Sequence, residues 1–205
     1  MTDSNRRNFL RITAASGLST LAGGTHVQGS APSERVRVAV IGVRGRGTDL
    51  ARLFASNPNA EVAAICDIDD AMFEKPSKVV ESITKKRPRV EKDFRRHLDD
   101  KAIDAVVIAT PDHWHALMSI IACQAGKDVY VEKPVNHNIV EGRKMVEAAR
   151  KYGRVVQAGT QRRSTPYVAD AIAHVHSGAL GTIGMVRAWA HGKRPSIGHG
   201  RPRPV

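Results

Sequence analysis

Apolar runs rich in β-branched residues alternate with amphipathic stretches through the middle of the chain. The runs predict strands at 35–42, 61–67, 103–110, 128–131 and 154–159, with a further short strand near 92–94. Between them, the spacing of apolar residues predicts helices at 48–56, 69–86, 111–126 and 138–152. Strands that alternate with helices of this length form right-handed βαβ units. The pattern therefore predicts an α/β fold with a doubly wound parallel sheet of about six strands.

The first 31 residues follow a different pattern. Arg6 and Arg7 precede Phe9 and Leu10, a weakly apolar run occupies 12–24, and small residues close the segment. This layout is typical of a twin-arginine export signal, with a disordered basic N-terminus as the alternative. We therefore expect a partner in the twin-arginine export machinery, folding in the cytoplasm first, and a periplasmic or otherwise exported mature chain. No apolar stretch reaches the roughly 20 residues that span a bilayer, so no stable membrane insertion is expected after processing.

The composition indicates a globular protein rather than a disulfide-rich, collagenous or polytopic membrane protein. Of the 205 residues, 41% are hydrophobic, and the two cysteines, Cys66 and Cys123, lie inside apolar runs. The net charge of +12 is concentrated at the ends, because residues 1–31 carry +2 and residues 187–205 carry +5. The +5 that remains is ordinary for a domain of this size. The charge therefore does not predict a nucleic-acid partner.

Glycines cluster in the turn between the first predicted strand and its helix. The turn consists of Gly42, Val43, Arg44, Gly45, Arg46 and Gly47 and approximates the G-x-G-x-x-G pattern of dinucleotide-binding turns. Gly42 and Gly47 match the first and third glycines of the pattern, whereas Arg44 occupies the second position. In such a turn the backbone approaches a pyrophosphate at the helix N-terminus. All six residues are candidate dinucleotide ligands.

Asp67 lies twenty residues beyond Gly47, at the end of the second predicted strand. An acid at this position accepts hydrogen bonds from the adenosine ribose hydroxyls, which favours NAD. The alternative interpretation is a turn acid or a helix cap. Arg44 and Arg46 could instead neutralise an additional phosphate, which leaves NADP open as the cofactor.

Polar residues also follow the fourth predicted strand. They are Thr110, Pro111, Asp112, His113, Trp114 and His115. Ligands of open parallel sheets bind beyond the carboxyl ends of the strands. His113 and His115 are two residues apart and would face different sides of a helix, and no third residue has a metal-ligand spacing, so no metal site is predicted. Trp114 is either a packing residue or a wall of a nicotinamide pocket.

The fifth predicted strand ends in Glu132, Lys133 and Pro134. Lys133 is thus expected at the same edge of the sheet as the two preceding motifs. A lysine there can hydrogen-bond a substrate hydroxyl or the cofactor, and partial desolvation would favour its use in proton transfer. Pro134 restricts Lys133 to an extended conformation.

Three motifs taken together resemble the glucose–fructose oxidoreductase, inositol dehydrogenase and rhizopine-catabolism oxidoreductase family (Gfo/Idh/MocA). They are IGVRGRG at 41–47, ATPDHWHA at 109–116 and EKP at 132–134. GTQRRS at 159–164 and GALGTIGMVRAWAHG at 178–192 are similar to exported bacterial members. The resemblance implies a Rossmann domain that binds NAD or NADP, and hydride transfer at a sugar or cyclitol carbon.

The resemblance also implies roles for individual residues. Lys133 corresponds to the active-site lysine, Glu132 accompanies the nicotinamide end, and Gln161 lies near the substrate side. The residues expected along the cofactor are Thr110, Pro111, His113 and His115.

The N-terminal pattern and the resemblance together divide the chain into four parts. They are an export signal at 1–31, a cofactor domain at 32–160, a connection with the start of a substrate domain at 161–192, and a basic tail at 193–205. Met185 to His191 is expected to be the first strand of the substrate domain. The chain is therefore expected to be the cofactor-binding part of an oxidoreductase, with little or no turnover alone. The alternatives are an exported NAD-dependent glycosidase and a non-catalytic nucleotide-binding fragment.

Overall fold

A computed structural model describes residues 35–189 together with residues 192, 196 and 198. The chain divides into two compact units between Thr160 and Gln161. The predicted export signal at 1–31 lies outside the described residues, as does most of the predicted tail at 193–205.

Six parallel strands form one sheet in the described part of the first unit. The strands are β1 (Val36–Ile41), β2 (Ala60–Cys66), β3 (Arg89–Glu91), β4 (Ala105–Ile108), β5 (Asp128–Glu132) and β6 (Val156–Gly159). Their order in the sheet is β3-β2-β1-β4-β5-β6, and every neighbouring pair is parallel. The predicted doubly wound α/β fold is confirmed, with the strand order of a Rossmann domain.

Helices cover both faces of this sheet. They are α1 (Arg46–Ala55), α2 (Glu74–Thr84), α3 (Arg95–Asp99), α4 (His115–Gln124) and α5 (Ile139–Lys151). Alternate residues of each strand point to opposite faces, so the core consists of two layers. In one layer Val40 and Ile65 pack with Leu50 of α1, and in the other Ile41 and Ile108 pack with residues of α4 and α5.

The third strand lies three residues earlier than predicted, at Arg89–Glu91 instead of 92–94. It is short and polar, and it pairs only with β2 at the edge of the sheet. An edge strand of this kind carries no apolar run, so its position is decided by pairing and not by local sequence.

The described part of the second unit contains a 3₁₀ turn (Gln161–Ser164) and helix α6 (Pro166–His176). The strand expected over Met185 to His191 is wrong for the described residues, since 181–189 carry no regular secondary structure. A strand needs a hydrogen-bonded partner strand, and the described residues of this unit offer none.

Among the described residues, no helix has both the length and the apolar character needed to cross a membrane. Both cysteines, Cys66 and Cys123, are buried free thiols. Burial raises the pKa of Cys66 to about 12, with a smaller contribution from the charge of Asp67. These thiols are part of the apolar core and stay protonated at neutral pH.

Candidate functional site

The strand order reverses direction between β1 and β4. β1 has β2 on one side and β4 on the other, so the connections that follow these strands diverge at their carboxyl ends. Gly42, at φ 79°, lies so close to the loop after β4 that an added Cβ would be 2.8 Å from the main-chain nitrogen of Thr110. The turn 42–47 and the loop 109–115 therefore contact each other where parallel α/β sheets bind ligands.

Backbone crowding explains the glycines of the turn 42–47. A Cβ at Gly47 would lie only 1.8 Å from the carbonyl oxygen of Gly42, so no side chain fits there. Gly45 differs, because its φ of 52° is positive but its missing Cβ faces open space. Arg44, in the second position of the glycine pattern, is exposed. Gly42 and Gly47 thus allow the turn to pack closely on itself and on the loop after β4, and Gly45 leaves open backbone at the N-terminus of α1, a position that suits a pyrophosphate.

Asp67 joins the end of β2 to this turn. Its Oδ2 accepts a hydrogen bond from the main-chain nitrogen of Val43 at 2.9 Å, and its Oδ1 accepts one from Asp69 at 3.1 Å. The carboxylate therefore does cap a turn, which was the alternative interpretation of this residue. Each oxygen of a carboxylate has two acceptor sites, so both retain one for a further donor such as a ribose hydroxyl.

Glu132 and Arg46 form an ion pair that connects the turn 42–47 to β5. Arg46 Nε donates to Glu132 Oε1 at 2.8 Å, and the Glu132 side chain is only 5% exposed. The other carboxylate oxygen, Oε2, accepts a hydrogen bond from the main-chain nitrogen of Lys133 at 3.2 Å. The guanidinium of Arg46 is therefore not wholly available to a phosphate.

The aromatic residue Tyr130 lies beside this ion pair. Burial and the charge of Glu132 raise the pKa of Tyr130, while Arg46 opposes that shift. For Arg46, burial lowers the pKa, but Glu132, through its hydrogen bond and charge, and Tyr130 together raise it overall. A Cβ added to Gly159 would lie 2.8 Å from the Tyr130 hydroxyl and 3.0 Å from Glu132 Oε1. The pair is thus enclosed by β6 as well as by α1.

His115 connects the loop after β4 to the loop after β5. Its ring is 1% exposed, with Nδ1 2.6 Å from the carbonyl oxygen of Pro134 and Nε2 2.8 Å from that of Thr110. The structure therefore places His115 beneath these loops, with both nitrogens directed at main-chain oxygens, and not with a nitrogen open to a ligand. Lys133 lies between Glu132 and Pro134 with its side chain exposed, and the Lys133–Pro134 peptide bond is cis.

The remaining residues of the loop after β4 lie at the surface of the site. Thr110 is half-buried and Pro111 is exposed. His113 Nδ1 lies 3.9 Å from one oxygen of Asp112, and His137 Nδ1 lies 3.8 Å from the other. His137, which the sequence analysis did not single out, comes three residues after Pro134 and adds a second imidazole to this rim. Within the described ranges, no group of three His, Cys, Asp or Glu side chains is arranged to hold a metal ion.

Gln161 begins the second unit, in the 3₁₀ turn Gln161–Ser164. Its side chain is exposed. The expected place of Gln161 near the substrate stays a prediction.

The family model described as an oxidoreductase family with an NAD-binding Rossmann fold matches residues 36–160. The chain belongs to the Gfo/Idh/MocA family. This finding confirms the resemblance carried by the three motifs, and it also confirms the nicotinamide dinucleotide predicted as cofactor.

Curated relatives of this chain include proteins named as glycosyl hydrolases and one named as an inositol dehydrogenase. The chain is 36% identical over 133 residues to a "Glycosyl hydrolase family 109 protein" of Stenotrophomonas maltophilia (strain K279a), covering 62% of this chain and 29% of the relative. It is 32% identical over 151 residues to a "scyllo-inositol 2-dehydrogenase (NAD(+))" of Bacillus subtilis (strain 168), covering 72% of this chain and 42% of the relative.

A solved structure supports the same relationship. The crystal structure of myo-inositol 2-dehydrogenase from Lactobacillus plantarum superposes with a TM-score of 0.65 at 25% identity, covering 73% of this chain and 43% of that one. The chain thus spans less than half the length of these Gfo/Idh/MocA relatives.

Proposed function

We propose that this chain forms the NAD-binding part of an oxidoreductase that oxidises a hydroxyl group of a sugar or cyclitol. The observation that supports this most is the convergence of three loops at one edge of the sheet. Gly42 abuts Thr110, Arg46 pairs with Glu132, and His115 joins Thr110 to Pro134. Relatives named as inositol dehydrogenases support the class of substrate.

The residues present fit the dinucleotide. Gly42 and Gly47 let the turn 42–47 pack closely against the loop after β4, and Gly45 leaves open backbone at the N-terminus of α1, where a pyrophosphate would bind. Asp67 keeps one acceptor site on each oxygen for the adenosine ribose. Thr110, Pro111 and His113 are the residues of the neighbouring loop that would line the cofactor. When bound, the nicotinamide ring accepts or donates the hydride.

We assign the transfer of the hydroxyl proton in this reaction to Lys133. As the hydride leaves the alcohol carbon, the hydroxyl proton must be taken up, and an exposed amine beside the cofactor can accept it. In the reverse direction the same ammonium returns the proton to the carbonyl oxygen. The alcohol would lose two electrons and two protons in all: the bound cofactor would take the two electrons and one proton as a hydride, and Lys133 would take the hydroxyl proton.

Titration calorimetry of the 205-residue chain with NAD⁺, NADH and NADP⁺ tests the cofactor proposal. We expect saturable binding, because the turn 42–47 and Asp67 are already arranged beside each other within this chain. Absence of binding to all three would contradict the proposal and favour a non-catalytic interaction fragment.

Turnover is tested by reduction of NAD⁺ in the presence of inositols and aldoses. We expect little or none, because the chain spans less than half of its relatives. Fast turnover by this chain alone would contradict that expectation. If the chain does turn over, Lys133→Ala should abolish the reaction while leaving the affinity for ADP-ribose, the part of the cofactor without nicotinamide, within a few-fold.

A glycosidase that uses NAD transiently is the second candidate, favoured by relatives named as glycosyl hydrolase family 109 proteins. Such an enzyme releases sugar from a glycoside without net formation of NADH. Release of nitrophenol from nitrophenyl glycosides, recorded alongside NADH absorbance, separates the two activities. Nitrophenol without NADH would favour the glycosidase.

We also propose that residues 1–31 direct export by the twin-arginine pathway to the periplasm. The adjacent Arg6 and Arg7 support this. Fusing residues 1–31 to a folded reporter tests the proposal, because replacing both arginines by lysine should retain the reporter in the cytoplasm. Export that is unaffected by the replacement would contradict it.

A further inference from the structure

We propose that Arg46 and His115 are positioning residues that hold the backbone on either side of Lys133. The proposal rests on the proposed function, in which Lys133 handles the substrate proton. It gives two residues of the cofactor loops a role that their motifs alone do not predict.

The first anchor acts on the N-terminal side of Lys133. Glu132 is nearly buried and uses its two oxygens differently, since Oε1 accepts from Arg46 and Oε2 accepts from the Lys133 main-chain nitrogen. A buried carboxylate keeps its orientation only if its acceptors are satisfied. Arg46 therefore fixes the carboxylate that in turn holds the Lys133 amide.

The second anchor acts on the C-terminal side of Lys133. The carbonyl oxygen of Pro134 is 2.6 Å from His115 Nδ1, and the opposite ring nitrogen is 2.8 Å from the carbonyl oxygen of Thr110. A carbonyl oxygen can only accept, so a neutral imidazole donates to one of these oxygens and a protonated one to both. Because the ring is 1% exposed and lies between these two oxygens, its removal would leave at least one main-chain acceptor without its donor.

The two anchors come from two different loops. Arg46 belongs to the turn 42–47 and His115 to the first turn of α4. The backbone of Lys133 is therefore held in a fixed position relative to both loops that would bind the dinucleotide. Displacement of a reacting group by about 1 Å is enough to slow an enzyme about a hundredfold. Anchoring on both sides is thus a means of fixing Lys133 relative to the cofactor even though its side chain is exposed.

Hydrogen exchange of the Lys133 amide in the full chain tests the anchors directly. Arg46→Met and His115→Leu should each speed exchange about tenfold, since each loses a hydrogen-bonded contact. Arg46→Lys and His115→Gln, which keep a donor, should give intermediate rates. The matched controls are Arg52→Met, an exposed residue of the same helix, and His97→Gln, a buried histidine elsewhere in the core; both should stay within about twofold of the wild-type rate.

Cofactor affinity provides a readout that a general loss of stability would not give. Because Lys133 is assigned to the nicotinamide end, His115→Leu should weaken NADH about tenfold but ADP-ribose, which lacks nicotinamide, less than twofold. Equal loss of both ligands, or Lys133 exchange no faster than in the controls, would overturn the positioning role. If His115→Leu fails to fold, His115→Gln decides the question with the same two measurements.

The failure of the proposed function is a separate result. A wild-type chain that binds neither NADH nor ADP-ribose would contradict the cofactor proposal. The exchange measurement would then still decide whether the anchors hold the Lys133 backbone.

Discussion

At the scale of single residues, the contacts of the site explain side chains that the sequence marks only as candidates. Asp67 combines two interpretations that looked like alternatives, because it caps the turn after β1 and keeps acceptor sites for a ligand. The sequence could place Asp67 at a strand end through its distance from Gly47. It could not reveal the bond to Val43, since that depends on how β1 and β2 align.

Asp67→Ala should therefore weaken both cofactors, but NAD more than NADP. The loss of affinity shared by both cofactors follows because the main-chain nitrogens of Val43 and Asp69 lose their acceptor, which costs about 1–3 kcal/mol. The additional loss for NAD follows from its free ribose hydroxyls. Calorimetric titration of both cofactors measures the difference, with Asp69→Ala, a cap of the next turn, as the matched control. An equal loss for NAD and NADP would mean that Asp67 is purely structural.

Gly47 allows a second prediction at this scale. Gly47→Ala places a methyl group where the Gly42 carbonyl oxygen lies, so the turn must move and the free energy of unfolding should fall by about 3 kcal/mol or more. Chemical denaturation and NADH titration measure both effects. Gly184→Ala is the control, because no atom lies within 4 Å of its missing Cβ. Unchanged stability and affinity in Gly47→Ala would show that the turn adopts another conformation.

At the scale of elements, local sequence determined the buried strands well and the polar or unpaired ones poorly. β1, β4 and β5 coincide with β-branched runs that are buried on both faces, and α5 begins at the predicted cap, where Asn138 accepts from the Glu141 nitrogen. β3 was displaced because pairing with β2 sets its position. Helix α6 was missed, although Pro166 in its first turn after Thr165 is a usual start signal.

Sequence patterns do not predict the ion pair between Arg46 and Glu132 or the contact between His115 and Pro134. Arg46 and Glu132 are 86 residues apart, and His115 and Pro134 are 19 apart. These contacts exist because parallel pairing aligns the ends of β1, β4 and β5 at one edge. Sequence analysis could predict the shared edge but not which side chains meet there.

Helix α3 carries a histidine that should make stability depend on pH. Burial lowers the pKa of His97, with a further contribution from the charge of Arg89. The folded state thus binds a proton at His97 less readily than the unfolded state, in which a histidine has a pKa of about 6.5. The contribution of His97 to the free energy of unfolding should therefore be fully present above the pKa of the unfolded state. It should decrease as the pH falls towards the lower pKa of His97 in the folded state.

Urea denaturation between pH 8 and pH 5 measures this dependence. His97→Leu should remove the histidine contribution while leaving the acid sensitivity of the carboxylates, so the difference between the two proteins isolates it. If wild type and His97→Leu show parallel pH profiles, burial does not control the protonation of His97.

At the scale of the whole molecule, the two units differ in how they bury apolar side chains. The first has core layers on both faces of its sheet, whereas the described residues of the second are exposed, apart from the half-buried Thr165 and Val168. Large apolar side chains that are exposed in the second unit include Tyr167, Ile172, Val175, Leu180, Ile183, Met185, Val186 and Trp189. Exposed apolar clusters of this kind promote association.

We therefore expect the chain to associate as its concentration rises. Light scattering after size-exclusion chromatography should show a mean mass that increases with loading concentration. Ile172→Glu, on the exposed face of α6, should reduce the association, while Ile139→Glu, at a still more exposed position in the first unit, serves as the control. A stable monomer at all concentrations would contradict this expectation.

The unequal crowding of the three glycines in the turn 42–47 has a practical consequence for engineering. Positions 42 and 47 are closed to every side chain, so mutagenesis libraries that retain them lose no useful diversity. Gly45 has open space around its missing Cβ, but its φ of 52° and ψ of −107° lie outside the left-handed helical region that asparagine and aspartate tolerate, whereas the neighbouring Arg44 is exposed and already carries a side chain. Randomising position 44 together with the loop after Asp67, while retaining all three glycines, would concentrate the search for altered coenzyme preference on positions that can accept new side chains.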